Sequence, residues 1–365
     1  MRAAGEAAAT GRRAAPAGAS AGERADLGAP VRIGLIGAGR MGRVHAGFLT
    51  GRVRGARLAG VHDARPEEAL ALAEELAVPA FESVERMLAD PEVHAVAVCS
   101  STDTHADLSV AAARAGKAIF CEKPLSLDLA DVDRVKAAVG EAGVPFQIGF
   151  NRRFDPAHRS VRDAVAGGVV GEPHLVRISS RDPFPPPLDY VRVSGGIFLD
   201  MTIHDFDMAR YVTGSEVAEV YARGSVRIEP SYREVGDVDT ALVVLEHEDG
   251  CVTAIDNSRR STYGYDQRVE VFGSGGMAAS GNPPVHAGVV LTAEGQTSPA
   301  MPSFFLDRYA ESYERAWEAF VDAVRDGRGP AVGIEDARAP LVIGLAAGRS
   351  LREGRPVRVE EVEAR

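Results

Sequence analysis

The chain of 365 residues, with 45% hydrophobic and 25% charged residues, has an ordinary globular composition and length for two domains. Its formal net charge of -11 sets it against nucleic-acid phosphates. The 3 cysteines (Cys99, Cys121 and Cys251) lie in apolar, strand-like contexts without metal-ligand spacing, which favours buried thiols in a reducing cytoplasm. No apolar run reaches membrane-spanning length. Residues 1–30 are rich in Ala, Gly and Arg without a hydrophobic centre. They read as a disordered extension, neither a secretory nor a twin-arginine signal.

Val31 to Ile36 reads as a buried strand, followed at once by Gly37-Ala38-Gly39-Arg40-Met41-Gly42 and a helix pattern from Arg40 to about Leu49. Gly37 permits the tight turn, Gly39 lets backbone approach a pyrophosphate, and Gly42 lets helix pack on strand. A diphosphate then sits on the positive end of the helix. A second strand, Arg57 to His62, ends in Asp63, about twenty residues after Gly42. An acid there bonds both ribose hydroxyls and repels a 2′-phosphate, favouring NAD over NADP. Arg65 nearby is the opposing charge.

Helices are expected over Pro66 to Ala77 and Ser83 to Ala89, then a strand from His94 to Cys99. Ser100 to His105, with Thr102 between them, follow that strand and border the cofactor at its carboxyl end. The bland alternative for Ser and Thr is capping the next helix, Ala106 to Ala115, and His105 reads as a contact or capping residue. Strand Ala118 to Cys121 ends in Glu122-Lys123-Pro124. Helix Asp128 to Ala142 and strand Val144 to Gly149 complete a six-stranded, doubly wound parallel Rossmann sheet over residues 31–150. Lys123 stands at a strand's carboxyl end before a proline that holds it extended. There it can donate to a substrate hydroxyl and stabilise a developing alkoxide.

Residues 151–330 read as an α+β substrate domain. A helix covers Pro156 to Ala166. Strands follow at Leu175 to Ser180, Val217 to Ile228, Ala241 to Glu246, Cys251 to Asn257 and Arg268 to Gly273. They suggest a large, mostly antiparallel open sheet, one face covered by a helix and the other available to a second subunit. Arg181 to Pro187 is a stiff proline-rich loop near the mouth of the site. Ser194 to Asp207 reads as a glycine turn opening one helix that runs to Gly214. On it Asp200 and His204 stack as neighbours, with Asp207 one turn further. A carboxylate beside an imidazole orients it as a general base. No second histidine or cysteine completes a metal set, so no metal is expected. Helices from Leu306 to Arg325 and Ile334 to Leu351 are expected to pack back toward the first domain, residues 331–365 forming a C-terminal helix and tail.

Together the Gly37–Gly42 turn, the Glu122-Lys123-Pro124 tripeptide and the Asp200/His204 helix resemble the glucose–fructose oxidoreductase and inositol dehydrogenase family, from Val31 to Val357. Within it, Gly149 to Pro156, Asp200 to Arg210, Asp256 to Arg260 and Tyr263 to Arg268 are most similar to the inositol 2-dehydrogenase branch. The resemblance implies NAD-dependent oxidation of a secondary hydroxyl of a cyclic polyol, myo-inositol to its 2-keto form, by a cytoplasmic homo-oligomer, a dimer or tetramer, of inositol catabolism. It carries catalytic roles onto Lys123, Asp200 and His204. Glu122 and Lys123 join the cofactor contacts, and Asn151, Arg153, Asp155 and Tyr265 become substrate contacts, Tyr263 competing with Tyr265. The alternatives are a relative acting on scyllo-inositol, a methylated inositol or a sugar, and a non-enzymatic NAD-binding regulator. The presence of Lys123, Asp200 and His204 disfavours the regulator.

Overall fold

A computed structural model describes residues 28–363. The expected extension over residues 1–30 therefore lies, apart from its last three residues, outside the described residues.

The first half alternates strand and helix: β1 (Val31–Ile36), α1 (Arg40–Leu49), β2 (Ala56–His62), α2 (Pro66–Leu76), α3 (Val84–Ala89), β3 (Ala95–Val98), α4 (Thr102–Arg114), β4 (Ala118–Cys121), α5 (Leu129–Ala142) and β5 (Phe146–Ile148). The strands form a parallel sheet of order β2-β1-β3-β4-β5. Every residue of β3, β4 and β5 is buried, as expected where helices cover both faces. The sheet holds the five strands whose ranges the sequence pattern marks, and the expected count of six is one too many. After β5 the chain turns away through a 3₁₀ turn, Asn151–Phe154, which leaves β5 as the edge. Helix α4 starts at Thr102 and so absorbs residues expected as loop, because Ser101 takes its N-cap position.

The second half contains α6 (Pro156–Ala166), β6 (Pro173–Arg181), α7 (Leu188–Ser194), α8 (Gly196–Asp200), α9 (Ile203–Thr213), β7 (Val217–Ser225), β8 (Thr240–His247), β9 (Val252–Ser258), β10 (Asp266–Gly273) and β11 (Gly276–Ser280). A small hairpin, β12 (Val290–Thr292) and β13 (Gly295–Thr297), precedes α10 (Phe305–Asp326), α11 (Ile334–Glu353) and β14 (Val357–Arg358). Seven strands form one sheet of order β11-β10-β6-β9-β8-β7-β14. It is mixed, because β6 and β9 at its centre run parallel while their other neighbours pair antiparallel. Strand β7 stops at Ser225, short of the expected Ile228, because Asp239 takes the N–H groups of Arg227, Ile228 and Glu229 in a turn. Alternation along β8 buries Ala241, Val243 and Leu245 and leaves Leu242 and Val244 exposed on the outer face.

Two helices tie the halves together. Trp317, Phe320 and Val321 of α10 share a core with Val31, Ile33 and Leu35 of β1, although α10 falls within residues 151–330. In α11, Leu341 joins the core under the parallel sheet while Ile343, Ala346 and Ala347 join that under the mixed sheet. Among the described residues, no helix is long and apolar enough to cross a membrane.

Candidate active site

A cleft of about 1560 Å³ runs from the glycine turn to the ends of β6 and β9. Gly37 has φ 102, and a side chain there would meet the backbone of Cys99 and Ser100 at 2.6 Å. A Cβ on Gly42 would collide with the carbonyl oxygen of Gly37, so helix and turn touch at that point. Gly39, the N-cap of α1, faces open space, and no side chain caps the helix or places an acid in its first turn. The free N–H groups of α1 therefore point into the cleft beside Arg40 and Met41. Asp63 Oδ2 accepts the N–H of Ala38 at 2.7 Å and Oδ1 that of Arg65 at 2.9 Å, fixing the carboxylate beside the turn. This arrangement fits a dinucleotide: an uncapped helix end for the diphosphate and an acid for the ribose. Ala38 and Gly42 shape the turn from behind; Gly37, Gly39, Arg40, Met41 and Asp63 line the cleft.

The cleft continues past Ser100, Thr102 and His105. The Ser100 hydroxyl lies 2.6 Å from that of Thr104, and both ring nitrogens of buried His105 face carbonyls, Pro124 O at 2.8 Å and Ser100 O at 3.1 Å. His105 thereby ties the end of β3 to the loop carrying Lys123. Behind that loop, Trp317 donates its indole N–H to His45 Nδ1 at 3.0 Å, which leaves Nε2 as the protonated nitrogen donating to Glu122 Oε1 at 2.7 Å. Burial would raise the Glu122 carboxyl, but His45 and Lys123 hold it below its ordinary value.

The helix expected to run unbroken past Asp200 is in fact two. Gly195 and Gly196 both have positive φ, 82 and 76, and open α8; α9 starts only at Ile203. Between them the Thr202 hydroxyl donates to Asn257 Oδ1 at 2.7 Å and lies 3.2 Å from Ile197 O, which interrupts the helical ladder. Asp200 and His204 consequently share no hydrogen bond, contrary to the stacked pair read from their spacing. Asp200 belongs instead to Lys123: Nζ donates to its main-chain oxygen at 2.8 Å and to Oδ1 at 3.4 Å. Tyr190 donates to the same Oδ1 at 2.8 Å, and Arg259 Nη1 to Oδ2 at 3.3 Å. Burial pushes the Asp200 carboxyl up, yet Lys123, Arg259 and Tyr190 together hold it below its ordinary value. His204 is half-buried, its Nδ1 closed off from solvent and without a partner among the described residues, and desolvation of the ring plus the charges of Lys123 and Arg152 hold it well below the usual imidazole range. The ring is therefore unprotonated and its free nitrogen can accept a proton, as a weaker base than a solvated imidazole. Asp207, one turn on, faces away and pairs with Arg153.

Of the expected substrate contacts, Asn151 and Tyr265 line the cleft. Arg153 and Asp155 do not. Arg153 forks onto Asp207 at 2.6 Å and Asp336 at 2.8 Å, while Asp155 caps α6 and pairs with Arg308. The side chain that lines the cleft is Arg152, held by Asp205 at 2.8 Å and Ser180 at 3.1 Å, because one step along a 3₁₀ turn swings a side chain by about a third of a circle. Tyr263 is 53% exposed and bonds Arg181 and Asp266, so of the two competing tyrosines Tyr265 is the one that lines the cleft. Asp182, Tyr190 and Arg259 also line it and were not singled out from the sequence as site residues. Burial pushes the Asp182 carboxyl up to about 6. The proline-rich run was the only signal pointing toward Asp182 and Tyr190.

Fold and cleft together define a two-domain, dinucleotide-dependent oxidoreductase. Residues 31–150 match the oxidoreductase family with an NAD-binding Rossmann fold, and residues 158–279 match the GFO/IDH/MocA C-terminal domain. The chain belongs to this GFO/IDH/MocA oxidoreductase family. It is 49% identical to the myo-inositol 2-dehydrogenase of Thermotoga maritima, over 91% of this chain and 99% of that protein. It is 45% identical to the inositol 2-dehydrogenase of Rhizobium meliloti, over 90% of this chain and 99% of that one. Among solved structures, a probable dehydrogenase from Thermotoga maritima superposes with TM-score 0.89 at 49% identity, covering 91% and 99% of the two chains. The scyllo-inositol dehydrogenase of Lactobacillus casei, with bound NAD(H) and scyllo-inositol, superposes with TM-score 0.85 at 29% identity, covering 91% and 99%.

Proposed function

We propose that this chain oxidises a secondary hydroxyl of a cyclic polyol, myo-inositol to 2-keto-myo-inositol, with NAD as acceptor. The observation that carries the reading is the meeting of Lys123 and His204 in the cleft whose other end is the Gly39 and Asp63 cradle. Relatives named for inositol oxidation at 49% and 45% identity support the substrate class. When bound, the nicotinamide supplies the hydride acceptor. Lys123 has one N–H beyond those committed to Asp200, and it holds the substrate oxygen that becomes the carbonyl. His204 takes the proton of that hydroxyl as the carbon gives up its hydride, so the alcohol leaves as a ketone. Arg152, Asn151, Asp182 and Tyr265 offer donors and acceptors to the other ring hydroxyls. Asp63, by occupying the ribose position, favours NAD over NADP.

The same reading makes the protein a cytoplasmic enzyme of inositol catabolism that assembles as a dimer or tetramer through the outer face of the seven-stranded sheet. Leu242 and Val244 on β8, and the paired Phe272 and Met277 of the β10–β11 hairpin beyond β9 and β6, are exposed and support that face. The test is NADH formation against a panel of inositols and sugars, with NADP in parallel. Turnover of myo-inositol with NAD is expected. Turnover of scyllo-inositol alone moves the substrate and keeps the site, and silence across the panel with NAD bound favours the regulator.

A further inference from the structure

Tyr190 stands on α7 at the mouth of the cleft, and its hydroxyl donates to the Asp200 oxygen that Lys123 also contacts. We propose that Tyr190 is a positioning residue for the dehydrogenation, acting through Asp200 to fix the direction in which Lys123 presents its free N–H to the substrate oxygen. The proposal rests on the polyol dehydrogenase reading above.

Three elements converge on one carboxylate: the loop after β4 supplies Lys123, α7 supplies Tyr190 and the end of β9 supplies Arg259. With Lys123 and Arg259 alone, at 3.4 and 3.3 Å, the carboxylate has no short side-chain bond; the 2.8 Å bond from Tyr190 is the one that sets its rotation. Asp200 in turn steers Lys123 Nζ, whose other fixed contact is the Asp200 main-chain oxygen. Helix α7 is itself held in place, because the buried Tyr232 donates its hydroxyl to Pro186 O at 2.7 Å, just before the helix begins. Partial burial and the neighbouring Asp200 push the Tyr190 phenol above its ordinary value, so it stays a donor at neutral pH. Asp182, Arg152 and His204 line the same cleft as the three donors, while Asp237 backs Arg259 at 3.8 Å. Tyr190 is 43% exposed, so losing its hydroxyl leaves the packing of α7 intact.

The test compares Tyr190→Phe with the parent protein, full-length and saturated with NAD. A loss of about tenfold in kcat is expected, the equivalent of one hydrogen bond to a charged group. The acid limb of kcat/KM should move up by about one pH unit, because the charged form of Asp200 loses a donor. The KM for NAD and the thermal midpoint should stay unchanged. A purely structural tyrosine would lower the midpoint and leave the pH profile where it was. Unchanged kcat and an unchanged acid limb overturn the proposal. Carbon NMR of carboxyl-labelled aspartate, assigned with Asp200→Asn, reads the same coupling without turnover. An Asp200 titration that does not rise in Tyr190→Phe overturns the proposal even if the parent oxidises no polyol, an outcome that would instead overturn the function.

Discussion

His45 and Glu122 lie 2.7 Å apart on facing elements of the parallel domain, both buried, with the His45 proton placed on Nε2 by the indole of Trp317. Glu122 spends its other oxygen on the backbone N–H of Lys123 at 3.1 Å. A buried relay from α10 through α1 thus ends on Lys123, the residue proposed to hold the substrate.

Removing its middle member strands a buried carboxylate. We expect His45→Ala to cost about 1–3 kcal/mol at neutral pH, measured by urea unfolding. Glu122 titrates below its ordinary value in the folded protein, so its contribution is full above the unfolded carboxyl range and is lost as pH falls through the folded one. The gap between the variant and the parent should therefore narrow on acidification, and a gap that widens would contradict the relay.

Lys123→Ala should reduce turnover by about a thousandfold or more, since it removes the donor to the developing alkoxide. NAD affinity, read by calorimetry, should change little, because the glycine turn and Asp63 lie elsewhere in the cleft. Substantial activity in this variant would remove the mechanism.

Asp63→Asn tests cofactor choice. The amide oxygen keeps one of the two backbone N–H bonds, to Ala38 or to Arg65, while the negative charge is lost. Its kcat/KM ratio of NAD to NADP should fall by about tenfold or more, as expected where one charge repels a phosphate. An unchanged ratio would show that another residue reads the ribose.

Arg152 and Arg153 should separate cleanly. Arg153→Ala breaks a buried pair with Asp207, whose carboxyl burial already pushes up, and should destabilise by about 3–5 kcal/mol while leaving the KM for polyol unchanged. Arg152→Lys should raise that KM by about tenfold through loss of the planar donor fork. The reverse pattern would mean that the two residues trade places when substrate binds.

Where the sequence could be read and where it could not follows from the range of the forces involved. The Gly37–Gly42 turn, β1 and α1 are written in contiguous residues, because a strand, a glycine turn and a helix start are local events. Lys123 was legible from its place at a strand's end. The pairing of Asp200 was not: its partners come from residues distant in the chain, and the interruption at Thr202 depends on Asn257, on a strand that arrives much later. Arg152 and Arg153 were indistinguishable, since only the phase of a single 3₁₀ turn decides which guanidinium faces the cleft. Helix α7 was masked by the prolines ahead of it, one of which, Pro187, sits at its N-cap.

The chain has 1 tryptophan, and it is Trp317, buried and stacked on Phe120 at 4.1 Å behind the loop of Lys123. Its emission therefore comes from a single place at the back of the active cleft, with no second indole to blur it. Reduced nicotinamide in the cleft would drain that emission by energy transfer, so cofactor occupancy can be followed in unlabelled protein. The residue that anchors the relay is also a lamp for watching the site fill.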